Sequence, residues 1–183
     1  MKMIKATILI LALAALFTTI ASAAVVSGAS YYTKVNMWYE NPERIPSTNY
    51  HVGSMIPVGT KVDILKITKQ EVMFRDQKGI TYTIQHIAKF SGPLLDYLDA
   101  CFSAENILES EIYKKISVND KASITAGTIT EGMSKEAVLM AYGNPPTHRT
   151  PSITGNRWTY WENRFKTMVV TFGPENVVTL IVR

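Results

Sequence analysis

Cysteine is almost absent from this sequence of 183 residues, in which Cys101 is the only one. A single cysteine cannot form an intramolecular disulfide, so the fold has to rest on its hydrophobic core. Around Cys101, apolar residues recur at helical spacing: Leu94, Leu95, Leu98 and Phe102. This stripe predicts a buried structural thiol rather than a nucleophile.

Clusters of charge and of metal-binding side chains are also missing. The 19 basic and 15 acidic residues are scattered, which gives no indication of nucleic-acid binding. His51, His86 and His148 lie in separate segments, without the spacing of a zinc site. We therefore expect no metal and no cofactor, with His86 at the rim of a strand and His148 exposed in a loop.

Sequence motifs of common catalytic sites are lacking as well. There is no Gly-x-Ser-x-Gly elbow and no phosphate-binding glycine loop. We expect no catalytic residues and a protein that is not an enzyme. A hydrolase built on Cys101 and a distant histidine is the alternative, and thiol labelling of the folded protein would test it.

The longest apolar run is too short to cross a bilayer. It extends over residues 8–20, whereas a spanning helix needs about 20 apolar residues. Lys2 and Lys5 precede it, and the small residues Ala21-Ser22-Ala23 follow it. This order is typical of a secretory signal that is cut after Ala23. We expect residues 1–23 to be removed and the mature chain to have no transmembrane segment.

The residue directly after the predicted cut is Ala24 and not a cysteine, so the new N-terminus cannot carry the lipid of a lipoprotein. The sequence therefore predicts an exported, soluble periplasmic protein, either free or peripherally associated with the outer membrane. The mature chain divides into three parts: a β-rich part over residues 31–90, a helical linker over 91–118 and an α+β part over 119–183.

Short strands and turns alternate in the first part. The patterns predict strands at 34–39, 61–67, 71–74 and 80–86, with a loop over 41–50 and a hairpin turn over 76–79. The order of first strand, long loop and Gly-Thr-x-Val strand entry resembles a bacterial Src-homology-3-type barrel. That resemblance implies a small antiparallel β-barrel-like domain. It rests on Lys34-Val35-Asn36-Met37, Ser47-Thr48-Asn49-Tyr50 and Val58-Gly59-Thr60-Lys61-Val62.

The linker changes to a helical period. One helix is predicted after Pro93, with Asp96 and Asp99 on its solvent face, and Ser103 is the predicted cap of a continuation that ends near Ile116. The helix is expected to pack on one or both of the β-containing parts.

The last part predicts one helix followed by three antiparallel strands. Ser134 is the expected N-cap, and Gly143 is expected to end the helix in a left-handed conformation. The strands are predicted at 157–163, 166–172 and 177–182. The whole chain is thus expected to have an α+β fold.

The pattern Gly-Met-Ser-Lys-Glu-x-Val-x-x-x-x-Gly-x-Pro resembles the SmpA/OmlA, or BamE-like, envelope family. The resemblance implies a non-enzymatic module that acts by protein–protein contacts, with outer-membrane assembly components as partners. Here the chain has no lipid-bearing cysteine and a long N-terminal extension, and related folds also occur in secreted enzyme inhibitors. The matched residues, mainly structural, are Gly132, Met133, Val138, Gly143, Pro145, Trp158, Tyr160 and Phe172.

Large aromatic residues supply the candidate interaction surface. Trp38, Tyr39 and Tyr50 either line a groove for a peptide or glycan, such as peptidoglycan, or fill the core of the barrel. Trp161 alternates away from Trp158 and Tyr160, so it marks either a second contact surface or the place where another part of the chain packs. A cell-wall or ligand-binding module is therefore the alternative function.

Overall fold

The computed structural model of the chain describes residues 24–183. The predicted signal segment, residues 1–23, lies outside these described residues. Two hydrophobic cores organise the fold, one built from residues 25–102 and the other from residues 116–178 together with Val58. We refer to residues 24–103 as the N-terminal half and to residues 104–183 as the C-terminal half. The architecture confirms the predicted α+β class.

The N-terminal half contains eight short strands. They are β1 (Ser30–Thr33), β2 (Met37–Tyr39), β3 (Ile45–Pro46), β4 (Ser54–Ile56), β5 (Lys61–Ile67), β6 (Glu71–Asp76), β7 (Thr81–Gln85) and β8 (Phe102–Ser103). Six of them form one curled sheet in the order β3-β7-β6-β5-β1-β8, and β2 pairs with β4. The pairs are antiparallel except for β3 with β7, which are parallel.

Alternation of side chains places the first core on one face of this sheet. Val72 and Phe74 on β6 and Ile84 on β7 are fully buried, whereas their neighbours in sequence are partly exposed. The turn between these strands forms as predicted. The Asp76 carboxylate accepts hydrogen bonds from the backbone N–H groups of Lys78 and Ile80, at 3.0 and 2.9 Å.

One strand prediction and one loop prediction for this half are wrong in detail. The single strand predicted over 34–39 is interrupted, because β1 ends at Thr33 and β2 begins at Met37. Asn36 lies in the gap with its side chain buried, and its hydrogen bonds to the C-terminal half hold the chain out of the strand path. The loop predicted over 41–50 contains β3, which pairs with β7.

The middle of the chain is less helical than its period indicates. It contains α1 (Ala88–Ser91), α2 (Leu94–Cys101), a 3₁₀ turn (Ile107–Glu109) and α3 (Glu111–Lys115). The predicted continuation capped by Ser103 is wrong, since Ser103 belongs to β8 and pairs with β1. The caps are Asn106 and Ser110, each of which accepts a hydrogen bond from a first-turn backbone N–H.

The C-terminal half contains two longer helices before its sheet. The elements are α4 (Val118–Ala126), α5 (Lys135–Tyr142), β9 (Arg157–Trp161), β10 (Thr167–Phe172) and β11 (Val178–Val182). The strands form an antiparallel sheet in the order β11-β10-β9. Helix α4 was not predicted, because its two large apolar residues, Val118 and Ile124, are six positions apart, which is not helical spacing, and Val118 is exposed.

Helix α5 begins as predicted and ends differently. The Ser134 hydroxyl accepts a hydrogen bond from the Ala137 backbone N–H at 3.3 Å, which confirms the N-cap. Gly143 ends the helix with a positive φ of 76°, but its ψ of −174° is not that of the left-handed helical region. This combination of angles is accessible essentially only to glycine. The predicted left-handed cap is therefore wrong, although the requirement for glycine stands.

The second core lies between α5 and the sheet. Trp158, Tyr160 and Met168 project from β9 and β10 and are 1%, 1% and 0% exposed. They pack in one cluster with Val138 and Ala141 of α5. One face of the sheet is thus covered by the helix, as the helix-then-three-strands pattern predicts.

Candidate functional site

The end of α5 is capped by side chains from the N-terminal half. The last carbonyl groups of a helix have no partner within the helix and need one elsewhere. Asn36, which is 0% exposed, donates from its backbone N–H to the Met140 carbonyl at 2.8 Å. Its Nδ2 donates to the carbonyls of Ala141 and Ile124, at 3.2 and 2.7 Å. Asn36 therefore closes the ends of both α5 and α4.

Asn49 extends this cap. Its Nδ2 donates to the carbonyl of Tyr142 at 2.9 Å and to that of Asn36 at 3.2 Å, and its Oδ1 accepts from the Trp38 backbone N–H at 2.9 Å. A Cβ atom added at Gly143 would lie 3.1 Å from Asn49 Nδ2, so the two segments approach closely here. Asn36, Asn49 and the adjacent His51 together form what we call the junction.

His51 completes the junction with its ring. The imidazole stacks on the Tyr142 ring with centroids 3.7 Å apart. Nδ1 lies 3.0 Å from the Trp161 carbonyl oxygen, and Nε2 lies 3.2 Å from the Tyr142 carbonyl oxygen. The Tyr142 carbonyl already accepts a hydrogen bond from Asn49. A neutral His51 ring with its proton on Nδ1 donates to the Trp161 carbonyl, so that each of the two carbonyls has a donor. Burial lowers the pKa of His51 to about 4.

The predicted aromatic surface is divided between two places. Trp38, Tyr50 and Trp161 come together at the junction: Trp38 contacts His51 edge-on at 5.8 Å, and Tyr50 contacts Trp161 edge-on at 6.4 Å. Trp161 thus lies where the N-terminal half packs. The indole Nε1 atoms of Trp38 and Trp161 are buried without a hydrogen-bond partner among the described residues.

Tyr39 lies apart from these residues. Its ring packs against Tyr82 of the first core at 5.3 Å. With Tyr32 and Tyr82 it lines an open cavity of about 550 Å³ beside the 76–80 turn. The sequence placed Tyr39 with Trp38 because the two are neighbours in the chain, but consecutive residues of a strand face opposite sides.

The residues of the family motif are mainly internal. Met133, Val138, Gly143, Pro145, Trp158, Tyr160 and Phe172 are buried, and Gly132 is exposed. The Tyr160 hydroxyl donates to the Gly143 carbonyl at 3.0 Å, which joins β9 to the end of α5. These residues therefore hold the second core together rather than form a surface.

A groove runs along the boundary of the two halves, beside the junction. It has a volume of about 660 Å³ and lies between α2 and Lys34 on one side and α3 and α5 on the other. Leu95, Ile112 and Ile153 line it and are 65%, 54% and 41% exposed. Large apolar side chains that are this exposed and share one concave surface are typical of an interaction site.

A smaller cavity of about 310 Å³ continues this groove. The two share Asp96, Ala100, Asn144 and Ile153 as lining residues. The smaller one lies between α2 and the loop that follows α5, and its wall includes four prolines, Pro93, Pro145, Pro146 and Pro151. We refer to the two cavities together as the groove.

The groove is lined by more acidic than basic residues. Asp96, Asp99 and Glu136 line it, and Lys34 is the cation among its lining residues. Lys34 is engaged with α2: its Nζ donates to the Asp99 carbonyl at 2.6 Å and lies 3.9 Å from the Asp99 carboxylate. The helical period assigned Asp96 and Asp99 to a solvent face, and both are exposed.

The remaining candidates for a catalytic or metal-binding role, one cysteine and two histidines, do not come together in one site. Cys101 is buried as predicted, and burial raises the pKa of its thiol to about 12. His86 is not the rim residue that was expected, because it is buried and both its ring nitrogens lie within 3.2 Å of backbone carbonyl oxygens. His148 is exposed as expected, with its ring against Phe90 at 4.8 Å. Within residues 24–183, no group of acidic, histidine or cysteine side chains has the arrangement of a metal site.

The groove was not predicted from the sequence, for a physical reason. Ile112 lies in the predicted helical continuation after Ser103, of which only the short helix α3 forms at this position, and Ile153 is an isolated apolar residue in a polar loop. Leu95 was assigned to the apolar stripe around Cys101, but it is 65% exposed. Only the folded chain brings the three together.

Comparison of the chain with family models, with curated proteins and with solved structures finds no match. Over residues 24–183, no helix is both long enough and apolar enough to cross a membrane. Fold and site together define an α+β protein with two cores, whose halves are joined by buried polar side chains and bordered by an apolar groove.

Proposed function

We propose that this chain is a non-enzymatic protein of the cell envelope that is exported through its N-terminal segment and acts by binding another protein in the groove. The observation that carries the proposal is the exposure of Leu95, Ile112 and Ile153 on one concave surface. Water-exposed apolar area of this kind is stabilised by a partner that covers it.

The start of the chain supports the location. Lys2, Lys5 and the apolar run over 8–20 have the order of a secretory signal. Ala24, the first residue after the expected cut, contributes to the wall of the groove. A mature chain would therefore begin at the proposed binding site.

The residues at the groove support binding rather than catalysis. Cys101, which borders the smaller cavity, holds its proton at neutral pH because its pKa is raised to about 12, so little thiolate is present. His51 and His86 each contact two backbone carbonyls and do not line the groove. The groove thus offers apolar area and carboxylates in place of a nucleophile and its base.

Capture of the partner from the envelope tests the proposal. The mature protein with a C-terminal tag would be incubated with detergent-solubilised envelope, next to a Leu95→Asp variant. The matched control is Val118→Asp, which changes an apolar residue that is 81% exposed and lies outside the groove. We expect a protein to be retained by the native chain and by Val118→Asp, and to be lost with Leu95→Asp.

The partners implied by the family resemblance are outer-membrane assembly components, and their recovery would support a role in outer-membrane assembly or envelope integrity. Recovery of a secreted enzyme would instead favour the inhibitor-like alternative. Equal retention by all three forms of the chain would place the binding site elsewhere, and absence of any retained protein would contradict the proposal.

A cell-wall ligand is the second candidate, and the cavity of about 550 Å³ lined by Tyr32, Tyr39 and Tyr82 favours it. Aromatic rings at an open cavity are suited to stack on sugar rings. Sedimentation with purified peptidoglycan tests this candidate. Tyr39→Ala removes an aromatic ring from the cavity, and Tyr50→Ala is the matched control because Tyr50 lies at the junction instead. Binding that is absent, or that survives Tyr39→Ala, would reject this candidate.

A further inference from the structure

The groove combines three properties that together restrict what fits in it. Its walls are apolar, its shape is continuous over two cavities, and its net charge is negative. The first two properties come from the exposed Leu95, Ile112 and Ile153 and from the residues that the cavities share. The third restricts the charge of any partner.

The negative charge of the groove is not neutralised within the described chain. Lys34 is held by the carbonyl and the carboxylate of Asp99 at the last turn of α2, so it is not free for an anion. Asp96 and Glu136 are exposed and make no ion pair within residues 24–183. They belong to different helices, α2 and α5, and face the groove from its two sides.

The sign of this charge is opposite to that of the protein. Residues 24–183 carry 17 basic and 15 acidic side chains, which are the chain totals of 19 and 15 less Lys2 and Lys5. A weakly basic protein therefore has a locally acidic groove. A ligand with anionic groups is disfavoured there, whereas cationic groups beside apolar ones complement both the walls and the rim.

We propose that the groove binds a cationic amphipathic segment of a partner protein, in which apolar side chains lie against Leu95, Ile112 and Ile153 and Lys or Arg side chains meet Asp96 and Glu136. This inference rests on the proposed function and specifies the chemistry of the partner at the same site. The apolar contacts supply the affinity, and the two carboxylates select the charge of the segment and its orientation.

Labelled model peptides test the charge preference directly. The probes are a short peptide of alternating leucine and lysine, a leucine–glutamate peptide and a serine–lysine peptide, each added to the mature protein in a fluorescence anisotropy titration. We expect the leucine–lysine peptide to bind at least about tenfold more tightly than either of the others. Its affinity should fall as salt is raised, since charges on an exposed rim are screened beyond about 8 Å at physiological ionic strength.

Two double variants then locate the effect. Asp96→Asn with Glu136→Gln removes both rim charges, and Glu131→Gln with Glu175→Gln changes the net charge equally at exposed positions outside the groove. We expect the first pair to weaken binding of the leucine–lysine peptide about tenfold and to reduce its salt dependence. The second pair should bind like the native protein, and circular dichroism should be unchanged for both.

The results separate this inference from the function on which it rests. Equal binding of the lysine and glutamate peptides, or equal affinities of the two double variants, would overturn the cationic partner. Binding of the serine–lysine peptide as tightly as the leucine–lysine peptide would also overturn it, because the apolar walls would then play no part. If Leu95→Asp still abolishes capture of an envelope protein in those cases, the proposed function stands and only the charge of the partner is wrong.

Discussion

The two halves of the molecule have opposite chemical roles at the junction. At the junction the N-terminal half supplies side-chain donors, from Asn36, Asn49 and His51, while the C-terminal half supplies backbone carbonyls at the ends of α4, α5 and β9. Each half has a core of its own, but the last carbonyls of α5 in the C-terminal half find their donors in the N-terminal half. Separate cores therefore do not make the halves independent.

The dependence of α5 on the N-terminal half is tested most severely at Asn36. We expect Asn36→Ala to lower the free energy of unfolding by about 3 to 5 kcal/mol, because the change leaves the Ala141 and Ile124 carbonyls and the Val58 N–H without their buried partner. Denaturant unfolding measures the loss.

The matched control is Asn41→Ala, since Asn41 is exposed and its side chain makes only a local hydrogen bond to the Glu43 N–H. That change should cost less than about 1 kcal/mol. A similar small loss for both variants would remove the contrast between the halves, since the cap from the N-terminal half would then contribute little.

His51 gives a pH-dependent test of the junction. Because its folded pKa, about 4, lies below the usual 6.5, the unfolded chain binds the proton more tightly. The contribution of His51 to stability is complete above pH 6.5 and is lost as the pH falls through about 4, by about 3 kcal/mol in total.

Urea unfolding of the native protein and of His51→Gln across this pH range measures the effect, as the difference between their free energies of unfolding. His148→Gln is the comparison: burial and the nearby Arg149 and Lys89 also lower the pKa of His148, but its ring is exposed, so we expect a smaller pH-dependent difference. If the free energy of unfolding instead rises on acidification, the hydrogen bonds of the protonated ring to the two carbonyls stabilise it more than burial destabilises it.

Two glycines of the C-terminal half, one packed against the N-terminal half and one in open space, test how closely the halves approach. Gly143→Ala should cost about 2 kcal/mol, since φ and ψ there suit essentially only glycine and the new Cβ would lie 3.1 Å from Asn49 Nδ2. Gly132→Ala should cost about 1 kcal/mol, because its φ is also positive but a Cβ would meet nothing within 4 Å. Thermal unfolding of the two variants measures both, and equal losses would show that the N-terminal half does not crowd Gly143.

The smallest effect on stability is expected in the groove. Leu95→Asp and Val118→Asp should each remain within about 0.5 kcal/mol of the native protein, since both side chains are largely in water. Denaturant midpoints check this. A larger loss with Leu95→Asp would indicate that Leu95 contributes to folding, and its effect on partner capture would then need a milder variant such as Leu95→Ser.

The two ends of α5 show what the sequence makes predictable. Ser134 caps the start through the N–H of Ala137, three residues away, so a local pattern was sufficient to find it. The end is capped by Asn36 and Asn49, which lie about a hundred residues earlier. No local pattern carries that information, since a buried asparagine and a loop asparagine look alike in one sequence.

Separation along the sequence also explains which other features of the fold were predicted and which were missed. The hairpins and the α+β class follow from local alternation and turn chemistry, and they were predicted. Strand β8 was missed because its two residues are a strand only through their pairing with β1. The groove was missed because Leu95, Ile112 and Ile153 come from three separate elements. Contacts between distant segments make the site, and local patterns do not contain them.

The capping of α5 from the N-terminal half also limits how this chain can be recombined. Residues 104–183, transplanted behind a different N-terminal domain, would carry the carbonyls of Met140, Ala141 and Tyr142 without the donors that they have here. A new neighbour would have to present an amide side chain at the same place. The two halves are therefore expected to be inherited and exchanged together, as one unit.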